Sequence, residues 1–283
     1  RLAPDLPEAH VAMGFAHYYG RRNYREALNE FEIARATLPN DAELWTSIGF
    51  AHRRLGNWKA VAEAYDRATL LNPRNAETFY DLGGETLTLL HRYADAVGAY
   101  DRSLALAPDM YPAAIRRALA FILWKGQFDP MRDVLAALPE GSAVAAHGSV
   151  AAQRAALLLL ERDADGLLEM PEVMRGTDFD GHVFFLPSAL YRAWAHRLRG
   201  DQAAARAAFE SAAARLDGSL RDLPDDWRIH AARGLALAGF GRCDQALAET
   251  RWLRQSEVYR GDAHFGTIAA ESRAQILAQC GNA

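Results

Sequence analysis

The sequence has few of the features that mark exported, membrane-bound or metal-binding proteins. It contains only two cysteines, Cys243 and Cys280, which are far apart and outside any metal or redox spacing such as Cys-x-x-Cys. We therefore interpret both thiols as small core residues in a reducing compartment, which favours a cytoplasmic location. No apolar run reaches the roughly 18 residues of a membrane-spanning helix, and the first residues do not resemble a secretory signal.

The sequence also has no strong excess of positive or negative charge. The chain of 283 residues has 32 basic and 36 acidic side chains, which leaves a formal net charge of −4. Nucleic acids and anionic membrane surfaces attract proteins through clustered positive charge. We therefore expect neither a nucleic acid nor a membrane as partner.

Motifs of enzymatic chemistry are absent from the sequence. It has no Gly-x-Ser-x-Gly elbow and no His-Glu-x-x-His pair, and Gly83-Gly84 lies in a predicted helix without phosphate-loop spacing. We expect no catalytic residues, no cofactor and no bound metal, so the sequence does not predict an enzyme.

The sequence does contain a repeat, which is clearest at its turns. A turn that follows the first helix of each pair is predicted at eight positions: Arg22, Gly56, His91, Gly126, Arg162, Gly200, Gly241 and Gly281. The first intervals are close to a 34-residue period, and the later ones are longer. The chain is thus predicted to be a regular helical array at its N-terminal end and a divergent one at its C-terminal end.

The residues around each turn have physical roles. Small residues such as Gly49 and Gly83 allow paired helices to approach closely. Pro39, Pro73 and Pro108 end the second helix of a pair, because proline cannot continue it. Asp41 and Asn75 then lie where the next helix needs an N-cap.

These features resemble the tetratricopeptide repeat (TPR), in which an aromatic residue and Leu-Gly precede a Gly-Asn-Tyr turn, followed by Ala, an aromatic residue, Ala and Pro. Trp45, Ile48-Gly49, Gly56-Asn57-Trp58, Tyr65, Ala68 and Pro73 show the pattern best. The resemblance implies an all-α, right-handed α–α superhelix of about seven helix pairs and a final helix. We predict one solenoid over 1–283, with regular repeats in 5–139 (7–39, 42–73, 76–108 and 112–139), and divergent repeats in 140–283 with an irregular loop near 175–185.

The chain also resembles the TPR region of bacterial multidomain signalling proteins. Arg53-Arg54-Leu55-Gly56 and the stretch from Asp225 to Gly239 carry this likeness. In such proteins a cyclase-like, kinase-like or winged-helix effector domain precedes the array. Because the first residues look like the end of a repeat and the last like an opening turn, we expect a fragment of a longer protein.

Two clusters of polar residues allow a second interpretation. His17, His52 and His196 recur at one place in their repeats, which favours packing over metal ligation. The stretch from Asp178 to His182 contains two acids, a glycine and a histidine, which is compatible with a cation or acid–base site. Such clusters more often shape a turn, and we predict an ordered loop here.

The resemblance implies that the first helices of successive pairs line a concave face where a partner binds. The side chains predicted there are aromatic or charged: Phe15, Tyr18, Tyr19, Phe50, Arg53, Arg54, Tyr80, Asp81, Arg116, Arg117 and Trp124. Tyrosine, tryptophan and arginine are enriched in binding hot spots. The alternative is that some of them, above all Phe15 and Phe50, pack against a neighbouring helix.

The predicted partner is a protein or peptide segment. The arginines favour an acidic segment and the aromatic residues an aromatic one. Relatives that bind chaperone tails hold a terminal carboxylate with asparagine and lysine, but Phe15, Phe50 and Gly84 occupy the asparagine positions here. We predict a non-catalytic interaction scaffold; the alternative is a regulatory arm that acts on its own upstream effector domain.

Overall fold

The computed structural model describes residues 6–138, 148–170, 178–181 and 184–281. These residues form two compact units, Arg1–Ala136 and Ala137–Ala283. Each unit is built of antiparallel helix pairs, and each has hydrophobic cores of its own. That one continuous array runs through both units stays a prediction.

The N-terminal unit contains four helix pairs. Two of its first helices end in a π-helical turn, Ala16–Gly20 after α1 and Leu82–Leu87 after α5. The helices are α1 (Pro7–Phe15), α2 (Tyr24–Thr37), α3 (Ala42–Arg54), α4 (Trp58–Leu71), α5 (Ala76–Asp81), α6 (Tyr93–Leu106), α7 (Tyr111–Lys125) and α8 (Asp129–Ala137).

The C-terminal unit contains eight helices and one hairpin among its described residues. Its elements are α9 (Gly148–Leu160), α10 (Ala164–Glu169), β1 (Asp178–Gly181), β2 (Phe184–Pro187), α11 (Ser188–Leu198), α12 (Gln202–Asp222), α13 (Trp227–Gly239), α14 (Cys243–Gln255), α15 (Glu257–Gly261) and α16 (Phe265–Gln279).

The predicted turns are confirmed at all eight positions. Each of the eight residues has a positive φ angle, from 50° at Arg22 to 84° at Gly241. After several of them the next amide bonds back to the first helix, as Asn57 N does to the His52 carbonyl at 3.0 Å. This left-handed closure satisfies carbonyls at the helix end that would otherwise lack a donor.

The predicted stops and caps are confirmed as well. Helices α2, α4 and α6 end at Thr37, Leu71 and Leu106, two residues before each repeat proline. The Asp41 carboxylate accepts hydrogen bonds from the amides of Glu43 and Leu44 at 2.9 and 3.0 Å. Asn75 caps α5 in the same way. Local sequence therefore defines both ends of these helices.

A small residue facing a buried aromatic ring brings the helices of a pair together. A Cβ added at Gly49 would lie 3.2 Å from the Tyr65 ring, and one at Gly83 would lie 3.2 Å from Tyr100. Both rings are almost fully buried. The repeat pattern also predicts a core position for Trp58, but this prediction is wrong. Trp58 is only half-buried, because it lies at the first turn of α4.

The two π-helical turns have a cause in the sequence. Between the cap and the turn, the first pair (Leu6 to Arg22) and the third (Asn75 to His91) have one residue more than the second (Asp41 to Gly56). A π-helical turn absorbs one inserted residue without breaking the helix. In the third pair, Thr88 donates from both its amide and its hydroxyl to the Gly83 carbonyl, at 3.1 and 2.8 Å.

The irregular loop of the prediction contains an antiparallel hairpin. Asp178 pairs with Pro187, and Gly181 pairs with Phe184. On β2, Phe185 and Leu186 pack against the core of the unit, as their apolar character predicted. The Asp178 to His182 cluster thus lies mainly on a strand, and His182 falls outside the described residues.

The two cysteines correct a prediction. Cys243 and Cys280 are bonded to each other, with their Cα atoms 5.5 Å apart, and both are half-buried. They are therefore not separate core thiols. Sequence spacing did not reveal the pair, because the fold of α14 to α16 brings the two positions together.

Candidate functional site

The first helices of the N-terminal unit contact one another through an aromatic and arginine cluster. Tyr18, in the π turn after α1, receives a hydrogen bond from the Arg54 guanidinium of α3 at 2.9 Å. Its ring lies 6.5 Å from Phe50 and 4.8 Å from Tyr19. Phe15 stacks on Tyr19 at 6.0 Å. Five of the predicted residues thus form one contiguous group.

A second group continues from α3 to α5. The Arg53 guanidinium lies 5.2 Å from the Phe50 ring centre. Burial raises the pKa of Tyr65 well above its usual value, and the charge of Arg53 opposes this rise. Asp81, at the end of α5, also interacts electrostatically with Arg53. Burial raises the pKa of Asp81 to about 7; the Arg53 charge opposes this rise, and Glu77 adds to it. Asp81 therefore changes charge near neutral pH.

The third group links α5, α6 and α7. The Tyr80 ring lies 6.2 Å from Tyr100 of α6. Burial raises the pKa of Tyr100 to about 12, while its hydrogen bond with Thr88 and the charge of Arg116 act to lower it. The charge of Arg116 is thus close enough to act on the Tyr100 hydroxyl.

Two predicted residues belong to a different cluster. Arg117 forms an ion pair with Asp101 at 2.5 Å and lies over the Phe121 ring at 5.1 Å. Trp124 stacks near Phe121, and the Lys125 ammonium lies 4.0 Å from the Trp124 ring centre. Both belong to α7, on a patch that ends in the exposed Leu123 and Trp124.

The predicted residues differ widely in exposure. Tyr19 is 69% exposed, Trp124 is 43% exposed and Arg116 is also exposed. Tyr18 and Arg53 are buried, at 6% and 5% exposure. Neighbouring rings cover these two side chains, so they have little surface left for the expected direct contact with a partner. The remaining predicted residues are half-buried: Phe15, Phe50, Arg54, Tyr80, Asp81 and Arg117.

The C-terminal unit contains a buried polar network that sequence reasoning missed. His230 of α13 lies 2.6 Å from the Glu249 carboxylate of α14, and its other ring nitrogen contacts the Pro224 carbonyl at 2.8 Å. The Trp252 ring stacks on His230 at 3.5 Å. Because both imidazole nitrogens have hydrogen-bond partners within the fold, this histidine is not placed to act on a substrate.

Arg233 completes the network. It bonds to both Glu249 of α14 and Asp217 of α12. Burial acts to lower the pKa of Arg233, but these hydrogen bonds outweigh it and raise that pKa. The ion pairs compensate charges that would be expensive to bury alone. The residues of this network lie on three different helices, so the sequence alone gave no local signal for it.

The described part of the chain offers no metal-binding cluster and no membrane-spanning helix. No group of three or more histidine, cysteine or acidic side chains is arranged to hold a metal ion there. The three repeat histidines are each half-buried. Within the same residues, every helix is too short or too polar to cross a membrane.

Comparisons with known proteins identify the fold. No protein-family profile matches the chain, and no curated protein matches it in sequence. Among solved structures it is similar to yeast Tom70, with a TM-score of 0.52 and 13% identity over 95% of this chain and 64% of that one. It is also similar to a tetratricopeptide repeat protein from Parabacteroides merdae, with a TM-score of 0.40 and 17% identity over 97% and 92% of the two chains.

A thermophilic TPR protein from Thermus thermophilus is a further neighbour, with a TM-score of 0.44 and 17% identity over 82% and 98% of the two chains. At these identities the likeness concerns the fold. The predicted all-α helical-repeat class is confirmed, and TPR proteins are among its structural neighbours. The likeness to bacterial signalling proteins stays a prediction.

Proposed function

We propose that the chain is a non-catalytic scaffold that binds a protein or peptide segment along the first helices of its N-terminal unit. The observation that carries this proposal is a line of side chains from Tyr19 to Arg116. The side chains from Tyr19 through Tyr18 and Phe50 to Arg53 are in contact, and beyond Arg53 the line continues through electrostatic interactions of Asp81 and Tyr100 to Arg116. Buried members hold the line in place, while Tyr19 and Arg116 are open to solvent at its two ends. Rigid aromatic rings and arginines beside them are typical of interaction surfaces.

The exposed members define the chemistry of the partner. Arg53 interacts electrostatically with Asp81. Arg54 donates a hydrogen bond to Tyr18, and Arg117 forms an ion pair with Asp101. Arg116 is exposed and neighbours a neutral tyrosine, so its charge is the one best placed for an acidic group of the partner. The Tyr19 ring offers an edge and face for an aromatic or aliphatic side chain.

The proposal is tested with a double variant that leaves the buried line intact. Tyr19→Ala with Arg116→Glu changes two exposed side chains on first helices. We expect captured partners from an extract of the source cells to fall by about 30-fold, since hot-spot losses are about 2 kcal/mol. The melting temperature should not change.

The matched control is Arg25→Glu with Leu70→Ala, two exposed positions on the second helices α2 and α4. It removes the same kinds of side chain from the opposite members of the pairs. Equal capture by wild type and both variants would refute the assignment of the face. Arg54→Glu is less suitable, because it also removes the hydrogen bond to Tyr18.

The regulatory-arm alternative and the cellular location can each be tested separately. The sequence upstream of Arg1 tests the alternative of a regulatory arm, which requires an effector domain there. The cytoplasmic location rested on unpaired thiols, and the bonded cysteines remove that reason, since stable disulfides are rare in the cytosol. Trapping the cysteines in intact cells with an alkylating reagent measures their state directly.

A further inference from the structure

The Cys243–Cys280 bond joins the two ends of the last part of the fold. Cys243 is the first residue of α14, and Cys280 follows the last residue of α16. They are separated by 37 positions, which include all of α14, α15 and α16. The bond therefore closes a loop that contains the final helices of the chain.

The final helix is also held by a cap at its start and by packing towards its end. At its start, the Asp262 carboxylate accepts hydrogen bonds from the amides of His264 and Phe265 at 3.0 and 2.9 Å. Towards its end, the buried Ile276 packs against Gly234 of α13. Beyond Ile276, the side chains of 277–279 are exposed or half-buried. The disulfide thus adds a covalent restraint to the last turn of α16, beside the packing of Ile276.

We propose that Cys243 and Cys280 form a reversible thiol–disulfide site that controls how firmly α16 is attached to the C-terminal unit. Both residues are half-buried, so a small thiol can reach the sulfur atoms without unfolding of the unit. Neither cysteine belongs to the core clusters as a fully buried residue. This inference concerns the C-terminal unit and stands apart from the proposed binding face.

The two sulfur atoms are not equivalent. Cys243 begins a 13-residue helix, where the free amides and the helix dipole stabilise a thiolate. The neighbouring Arg242 adds to this effect, and Asp244 in the first turn opposes it. Cys280 lies at the opposite, negative end of α16, where a thiolate is disfavoured. Cys243 is therefore the better nucleophile in the dithiol and the better leaving group in the disulfide.

An external thiol supplies the electrons for reduction of the bond, and an external disulfide accepts them when the bond forms again. In reduction, a glutathione thiolate attacks the Cys280 sulfur, the S–S bond breaks, and Cys243 leaves as thiolate. A second glutathione thiolate attacks the mixed disulfide, which releases the Cys280 thiol and glutathione disulfide, and both cysteines take up protons. In oxidation, the Cys243 thiolate attacks glutathione disulfide, and the Cys280 thiolate then displaces glutathione from Cys243.

The attachment of α16 is measured by hydrogen exchange of the full chain before and after reduction with dithiothreitol, without denaturant. We expect the amides of 270–279 to exchange about 500-fold faster after reduction, because a closed loop of this size restrains opening by about that factor. Amides of α3 and α4 in the N-terminal unit serve as an internal reference and should not change. Unchanged exchange in α16 would refute its control by the bond.

Reversibility is measured separately by thiol counting. Native protein should bind no maleimide before reduction and two equivalents after it, and glutathione disulfide should restore the blocked form. A bond that resists reduction until the protein unfolds would show a permanent structural link and overturn the proposal. Two free thiols in protein freshly treated with glutathione disulfide would also overturn the proposal.

Single variants test the roles of the two sulfur atoms. At neutral pH, Cys243 in Cys280→Ser should form a mixed disulfide with glutathione disulfide about tenfold faster than Cys280 in Cys243→Ser. Cys243→Ser with Cys280→Ser should reproduce the exchange pattern of the reduced wild type. Equal rates in the single variants, or slow exchange of α16 in the double variant, would contradict the assignment.

Discussion

At the scale of single residues, three turns hold a non-glycine residue in a left-handed conformation. Arg22, His91 and Arg162 have φ angles of 50°, 57° and 60°, whereas the other five turns use glycine. A side chain with a Cβ is disfavoured there by about 1 kcal/mol. These three turns are therefore less stable than the turns that use glycine. The same helix-ending hydrogen bonds still form, as from Asp163 N to the Leu158 carbonyl.

Arg162→Gly should stabilise the protein. Arg162 is exposed, so its replacement removes the left-handed strain with little loss of packing. We expect the free energy of unfolding to rise by about 0.5–1 kcal/mol, since the more flexible unfolded chain offsets part of the gain. The matched control is Gly200→Ala, in the equivalent turn of the next pair, which should lower stability by about 1 kcal/mol. Urea unfolding that moves in the same direction for both variants would contradict this account.

Asp81 should make stability depend on pH. Its pKa is about 7 in the folded protein, against 3.8 for an ordinary aspartate, because burial disfavours the carboxylate. The folded state therefore binds the proton more tightly, so this contribution is full below about pH 4 and is lost as the pH rises towards 7.

Asp81→Asn removes the ionisation. We expect the variant's stability relative to wild type to be about 2 kcal/mol more favourable at about pH 8 than at about pH 4.5, since one pKa unit corresponds to about 1.4 kcal/mol and Asp81 is partly solvated. Other titrating groups are common to both proteins and cancel in the difference. A difference between the two proteins that does not vary with pH would show that Asp81 is not the group responsible.

At the scale of helices, the inserted residue in the third pair leads to a direct prediction. Deleting Glu85 gives the stretch from Gly83 to His91 the same length as that from Gly49 to Gly56 in the second pair. The π turn should then become regular α-helix, and the protein should keep a cooperative transition. We expect a change in stability within about 1 kcal/mol, because packing of the flanking turns is retained.

The control deletion is Ala51, in α3, which has no extra residue. Removing it turns the last part of α3 by about 100° and moves buried side chains out of the core. We expect a loss of about 3 kcal/mol or more, or failure to fold. Comparable losses for the two deletions, measured by chemical unfolding, would mean that the π turn is not an absorbed insertion.

Helices and turns could be predicted because their signals are local. A proline, a capping Asp41 or Asn75, and a residue at the left-handed turn act within four or five positions of the chain. The hairpin of 178–187, the short helix α15 and the π turns carried weaker local signals. The cysteine pair was misread, because its proximity depends on three helices folding together.

The site was predicted less well than the fold. Repeat spacing placed the eleven residues on first helices, and most of them do contact one another. Burial could not be read from spacing: Tyr18 lies beneath Arg54 and Tyr24, whereas its neighbour Tyr19 is open. Both tyrosines lie in the π turn after α1, where the inserted residue shifts the helix face relative to the repeat pattern.

At the scale of the whole molecule, each described core cluster lies within one of the two units. Phe31 and Tyr100 belong to cores of the N-terminal unit, and Phe209 and Leu253 to a core of the C-terminal unit. In helical repeats stability is a sum of repeat terms and nearest-neighbour terms. A loss in one core should therefore act mainly on the pairs beside it and fade with distance along the chain.

Two core variants test this locality in the full chain. Tyr65→Ala removes a fully buried ring of the second pair, and Phe209→Ala removes one that packs on Gly239 in the C-terminal unit. Each should destabilise its surroundings by about 3–5 kcal/mol. Hydrogen exchange should then quicken in α3 to α6 for the first variant and in α11 to α14 for the second. If either variant accelerated exchange equally in all helices, the chain would unfold as one cooperative body, and stability would be a property of the whole array.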